Sequence, residues 1–133
     1  MKETVLLYGF TDKERLSKVK RALLPLGMRM KCIAPGEYLN PVGHMAGIKE
    51  IEPAGEAYDG PEFEKEMMVM AGLTSRRVDA VIYALRKGGV GRVDYKAVLT
   101  PTNQFWDAVK LYEEIAREHE AMNGQPETSV VSE

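Results

Sequence analysis

At 133 residues, 44% hydrophobic and 29% charged, the chain has the size and balance of one globular α/β domain over residues 1–122, whose folding should bury about two-thirds of the surface exposed when unfolded. Its 18 basic and 20 acidic residues are interspersed and leave a net charge of −2, which argues against recruitment of nucleic acid or an anionic membrane by an overall field. No run reaches the ~20 apolar residues of a membrane span, the apolar stretch after Met1-Lys2-Glu3 is too short for a signal peptide, and the single cysteine, Cys32, can form no intrachain disulfide, so a cytoplasmic setting is expected.

Thr4 to Tyr8 reads as a strand, because Val5-Leu6-Leu7-Tyr8 is a continuous apolar run. The turn Gly9-Phe10-Thr11 opens a helix of about four turns, with Thr11-x-x-Glu14 as a capping box and Leu16, Val19, Leu23 and Leu26 as the apolar stripe. Gly27 supplies a left-handed stop, and a second strand from Met28 to Ile33 alternates apolar and charged residues before Pro35. Residues 34 to 66 carry prolines and glycines too often for long elements, although Pro41 to Ile48 suits a short helix. A connection of that length in a small domain is often functional.

The first pattern then recurs. Met67 to Ala71 is a second all-apolar strand, Gly72-Leu73-Thr74 a second turn capped by Thr74 or Ser75, and Ser75 to Lys87 a helix with the stripe Val78, Val81, Ile82 and Leu85. Gly88-Gly89 ends it, and a strand from Val93 to Thr100 closes the repeat at Pro101. Asn103 caps a final helix with the stripe Phe105, Val109, Tyr112, Ile115, Ala116 and His119, and the polar residues 123–133 read as a disordered tail.

Strands apolar on both faces belong at the centre of a sheet, and alternating strands belong at its edges. The repeats 4–35 and 67–101 therefore predict a ferredoxin-like α+β fold: a four-stranded antiparallel sheet in order 4-1-3-2, two helices on one face, and the C-terminal helix on the other. The alternative is a mixed or parallel doubly wound sheet.

The string Lys96-Ala97-Val98-Leu99-Thr100-Pro101-Thr102-Asn103, followed by Trp106, Glu113-Glu114 and Glu118-His119, resembles the bacterial domain-of-unknown-function family 3783 over Met67 to His119. The earlier Pro41-Val42-Gly43-His44-Met45-Ala46-Gly47 is similar to that family's Pro-x-Gly-x-x-x-Gly element. The resemblance implies a small bacterial protein and carries over no activity, substrate or cofactor.

Several chemistries are disfavoured by spacing. His44, His119 and Cys32 form no CxxC, HxH or HExxH pattern, so no metal or other cofactor is expected; Cys32 reads as a small core residue and His119 as a favourable helix end. Gly88-Gly89-x-Gly91 lies between helix and strand, the reverse of a dinucleotide-binding or P-loop turn. Arg76, Arg77, Arg86, Lys87 and Arg92 occupy different turns and lack interleaved aromatics, as expected of a solvated helix surface.

What remains is Thr100-Pro101-Thr102-Asn103, where two hydroxyls, an amide and the free N–H groups of a helix start gather; its bland reading is plain capping. Strands two and four of a ferredoxin-like sheet end on the same side, so a shallow cleft lined by Tyr38, Asn40, His44, Thr100, Thr102, Asn103 and Trp106 is expected. That cleft suits a ligand-binding or protein-interaction module whose partner is a small molecule, another protein or a second copy of the chain. The alternative is an enzyme with His44 as acid or base and Lys96 or Asn103 positioning an oxyanion.

Overall fold

The computed structural model describes residues 1–121 and the short strand Val130–Val131. The two apolar runs, β1 (Thr4–Tyr8) and β3 (Met67–Ala71), are buried along their whole length and pair antiparallel at the middle of one mixed sheet. Each is flanked by the second strand of its own unit, β2 (Arg29–Ile33) parallel to β1 and β4 (Tyr95–Val98) parallel to β3. The order is β2-β1-β3-β4-β5, where β5 is Val130–Val131, parallel to β4.

This corrects the antiparallel ferredoxin-like order 4-1-3-2 and leaves the mixed-sheet alternative. Each helix returns the chain to the strand it left, as a parallel crossover does. Two bidentate or forked arginines join the units across the antiparallel β1/β3 pair. Arg15 at the start of α1 (Lys13–Leu23) donates from Nε to both carboxylate oxygens of Glu66 at 2.7 Å, and from its other nitrogens to the carbonyls of Val90 and Arg92. Arg77 at the start of α3 (Ser75–Lys87) grips Glu3 at 2.8 and 2.9 Å and donates to the Leu26 carbonyl at 2.6 Å. Each helix start thus holds the residue preceding the other unit's first strand, within reach because β1 and β3 pair antiparallel, as they also would in the order 4-1-3-2. The sequence signal is a longer repeat than the turns alone suggest: Lys2-Glu3 stands before β1 and its glycine turn as Lys65-Glu66 stands before β3 and its own.

Strand alternation divides the interior into two cores. Val5, Leu7, Met68 and Met70 face α1 and α3, packing on Val19, Leu23, Val81 and Leu85. Leu6, Tyr8, Met67, Val69 and Ala71 face the other way, toward α4 (Ala108–Ala121) with Leu111 and Ile115, and toward the connection with Tyr38, Val42 and Phe63. Burying one Leu- or Ile-sized side chain in this way contributes about 1.5–3 kcal/mol. The expected arrangement of two helices on one face and the last helix on the other is observed.

Local details differ from expectation where a better cap was at hand. Asp12, not Thr11, caps α1, its Oδ1 accepting from the N–H of Glu14 and Arg15; Thr74 caps α3 as expected. The final helix breaks at Trp106, whose backbone is extended, and restarts where Asp107 accepts from the N–H of Lys110 at 2.8 Å. That break rotates the buried stripe to Ala108, Leu111 and Ile115 and leaves Phe105 64% exposed. Cys32, expected in a core, is exposed on β2. β4, expected at an edge, is buried at Tyr95, Lys96 and Ala97 and flanked by β5. The tail expectation for 123–133 lies outside the described residues except at Val130–Val131.

Candidate functional site

β2 and β4 end at opposite ends of the sheet, because β1 and β3 run in opposite directions. The convergence expected from a shared exit side is reached by another route. After β2 the chain makes a 3-10 turn at Pro35–Glu37 and runs back beside β2, where the Lys31 ammonium donates to the carbonyl of Met45 at 2.7 Å. This carries α2 (Val42–Met45) to the turn that follows β4. The N–H of Val42 donates to the carbonyl of Trp106 at 2.8 Å, and the N–H of Ala108 to that of Tyr38 at 2.9 Å. Gly43 sits so close that an added Cβ would lie 2.7 Å from Ile51 Cδ1 and 2.8 Å from the Gln104 carbonyl oxygen.

Contact does not make a cleft of the expected residues. The Asn103 amide oxygen accepts from the N–H of Thr100, its amide nitrogen donates to the carbonyl of Val98, and its own N–H donates to the Thr100 hydroxyl, all within 3.0 Å. Thr100 and Asn103 therefore close a turn on themselves, the plain capping reading, and Thr102 is exposed beside them. Asn40 is similarly engaged, its carbonyl oxygen accepting from the N–H of Ala54. Trp106 is half-buried under the Lys110 ammonium, 4.7 Å from its ring centre.

Tyr38 belongs to the core. It is fully buried and stacked on Phe63 at 4.1 Å, within a run of rings that passes through Tyr112 and Tyr95 to His119. Its hydroxyl and that of Tyr8 have no hydrogen-bond partner among the described residues. Burial pushes the Tyr38 phenol up to about 12, with Glu62 adding to the rise; the N–H groups of Phe63 and Gly9 oppose it without reaching hydrogen-bond geometry.

His44 is the expected residue that lies in a concavity. Its Nδ1 is 2.9 Å from the carbonyl oxygen of Ile51, and its neighbours Gly47, Ile48, Lys49, Ile51, Glu52 and Pro53 line a hollow of about 440 Å³. A carbonyl oxygen can only accept, so the neutral ring carries its proton on Nδ1 and leaves Nε2 as an acceptor.

Lys96 was missed as a buried cation. It is 4% exposed on the α1/α3 side of β4, with its ammonium donating to the Val93 carbonyl at 2.8 Å. Burial brings it down to about 8, Arg92 lowers it further and Asp94 opposes. The alternating charges around it suggested a solvent-facing strand, and no signal in the strand itself distinguishes the two outcomes. Arg77 and Lys87 of the basic group are engaged with Glu3 and the Tyr83 ring respectively. Among the described residues no cluster of three or more His, Cys, Asp or Glu is arranged for a metal ion, and no helix is long and apolar enough to cross a membrane.

Residues 66–122 match the family model of a domain of unknown function (DUF3783), so the chain carries that domain from β3 through α4. No curated protein and no solved structure matches the chain significantly.

Proposed function

We propose that this protein of the domain-of-unknown-function family 3783 is a ligand-binding module whose site is the concavity beside His44. The observation that carries the reading is the fixed imidazole of a residue that lines the hollow: the Ile51 carbonyl selects the tautomer and holds the ring, which leaves Nε2 as its acceptor. The walls combine apolar Ile48, Ile51 and Pro53 with charged Lys49 and Glu52, the mixture expected of a site that holds a small molecule by its body and orients it by a few polar groups. Its volume of about 440 Å³ lies within the range of such sites.

The commitment of Asn103 to its own turn and the burial of Lys96 on the opposite face of the sheet weigh against an enzyme in which either would position an oxyanion for His44. The test is an amide-resolved NMR screen of small-molecule fragments against the wild type and His44→Gln. Hits should shift the amides of residues 47–53 and lose at least tenfold in affinity in the variant while its melting temperature stays within a few degrees. Hits that gather elsewhere, or that ignore the substitution, would overturn the reading.

A further inference from the structure

The segment Gly47-Ile48-Lys49 that lines the hollow beside His44 also lines a second concavity of about 510 Å³, with Lys2, Arg29, Ala46 and Glu50 among its other residues. Three cations therefore face one carboxylate in the second hollow, and Glu52 lies on the His44 side of the shared wall. None of Lys2, Arg29 and Lys49 forms an ion pair or a side-chain hydrogen bond among the described residues. The carboxylate nearest in sequence, Glu3, is taken by Arg77 and cannot neutralise Lys2. Positions for these cations are set by strand starts: Lys2 precedes β1, Arg29 begins β2 beside Thr4 with its N–H donating to the Glu3 carbonyl, and Lys49 follows the turn at Gly47, whose φ of 103° only glycine adopts without strain. Unpaired cations on two adjacent strand starts and a neighbouring turn, all lining one concavity, form a field that an anion lowers in energy.

We propose that this second hollow binds the anionic oxygen group of a small molecule, a carboxylate or phosphate held by Lys2, Arg29 and Lys49, while the body of the same molecule extends past Lys49 to His44. The inference rests on the reading of the His44 concavity and adds the chemical class of its ligand. A guanidinium on Arg29 offers a planar fork to two oxygens, whereas the two ammonium groups act as point charges.

The test titrates the full chain with inorganic phosphate and, separately, acetate, each against sodium chloride at equal ionic strength, following amide shifts. Saturable shifts of residues 47–50 and of Arg29 at millimolar concentration are expected, with at least a fivefold loss of affinity in the pair Arg29→Gln and Lys49→Gln and no loss in the pair Arg86→Gln and Lys87→Gln. The ratio of the two affinities tells phosphate from carboxylate. Shifts that do not saturate, that chloride reproduces, or that survive the first pair of substitutions overturn the inference. His44→Gln should leave anion affinity within twofold; if the anions bind but fragments ignore His44, the anion site stands and the His44 reading falls, and the reverse result sinks the anion site alone.

Discussion

Lys31 and Ala97 stand at the two ends of one row across the sheet, Lys31, Leu6, Val69 and Ala97, in strands that alternate in the same way. Lys31 is part-exposed at the rim and reaches over to a loop carbonyl, while Ala97 is completely buried. On the opposite face the next row ends in Cys32 on one side, exposed, and Lys96 on the other, 4% exposed. The difference comes from what covers each strand. β4 lies beneath α4 on one face, beside α3 and its loop on the other, and next to β5 at its margin, whereas among the described residues β2 has no further strand at its outer rim. Alternation therefore reports which residues share a face; it does not report whether either face stays wet.

The contrast is broken most severely by placing a charge at each end of the first row. Ala97→Glu should destabilise by about 3–5 kcal/mol, since an unpaired carboxylate would be buried under α4, while Lys31→Glu should cost about 1 kcal/mol, the worth of one hydrogen bond. Urea denaturation of both variants checks this, and equal costs would mean that β4 is not covered as described.

A smaller effect is expected at the two arginine grips. Arg15→Ala should lower the melting temperature by several degrees and by more than Arg77→Ala, because Arg15 also serves two carbonyls and Arg77 one. The Glu3 carboxyl is held below its ordinary range chiefly by the Arg77 hydrogen bond, so the stability from that pair is present at neutral pH and fades as acid protonates Glu3; acid titration of Arg77→Ala should lack that loss.

Lys96 gives the opposite sign. Its folded value, about 8, lies below the ordinary 10.5, so the unfolded chain keeps its proton longer and stability should rise as pH passes from about 8 toward 10.5. Tyr8, Tyr38 and Tyr95 are all raised by burial, so above about 10 the unfolded chain ionises first and stability should fall again. Lys96→Met should remove the rise, keep the fall, and add about 1 kcal/mol at pH 7; an unchanged pH profile in thermal melts would contradict the burial of the ammonium.

The smallest change belongs to Tyr8→Phe. Its hydroxyl has no partner among the described residues, so the substitution should shift stability by less than about 1 kcal/mol, toward gain. A loss of several kcal/mol in calorimetry would reveal a hydrogen bond the geometry does not show.

The central placement of β1 and β3, the stripes of α1 and α3, the short α2 and the layer assigned to the last helix were legible because each rests on local periodicity or punctuation. Strand order was not, because Gly27 and Gly88-Gly89 mark the return of the chain without saying beside which central strand it pairs; the grips of Arg15 on Glu66 and Arg77 on Glu3 were hidden as well, their pairing being long-range. In the candidate site, His44 was legible as a lone polar residue in a punctuated segment; Asn103, read as the cap of the final helix, instead ties its own turn to Thr100 and Val98, and Asp107 caps that helix. Tyr38 was misplaced as a lining residue because its ring is committed to Phe63, far along the chain. Lys2, Arg29 and Lys49 carried no motif, being brought together only by strand starts and the return of the connection.

The reciprocity of the two grips has the logic of an isologous contact, in which one residue touches a second and the second's equivalent touches the first's. Here the equivalents sit in one polypeptide, so the joint between the units is arranged like that of a symmetric pair of copies tied end to end. Tethering frees each copy from having to match the other anywhere but at that joint. One unit thereby keeps an open, charged rim with an exposed thiol, while its twin has been roofed over by a further helix and supplies the segment the domain family shares.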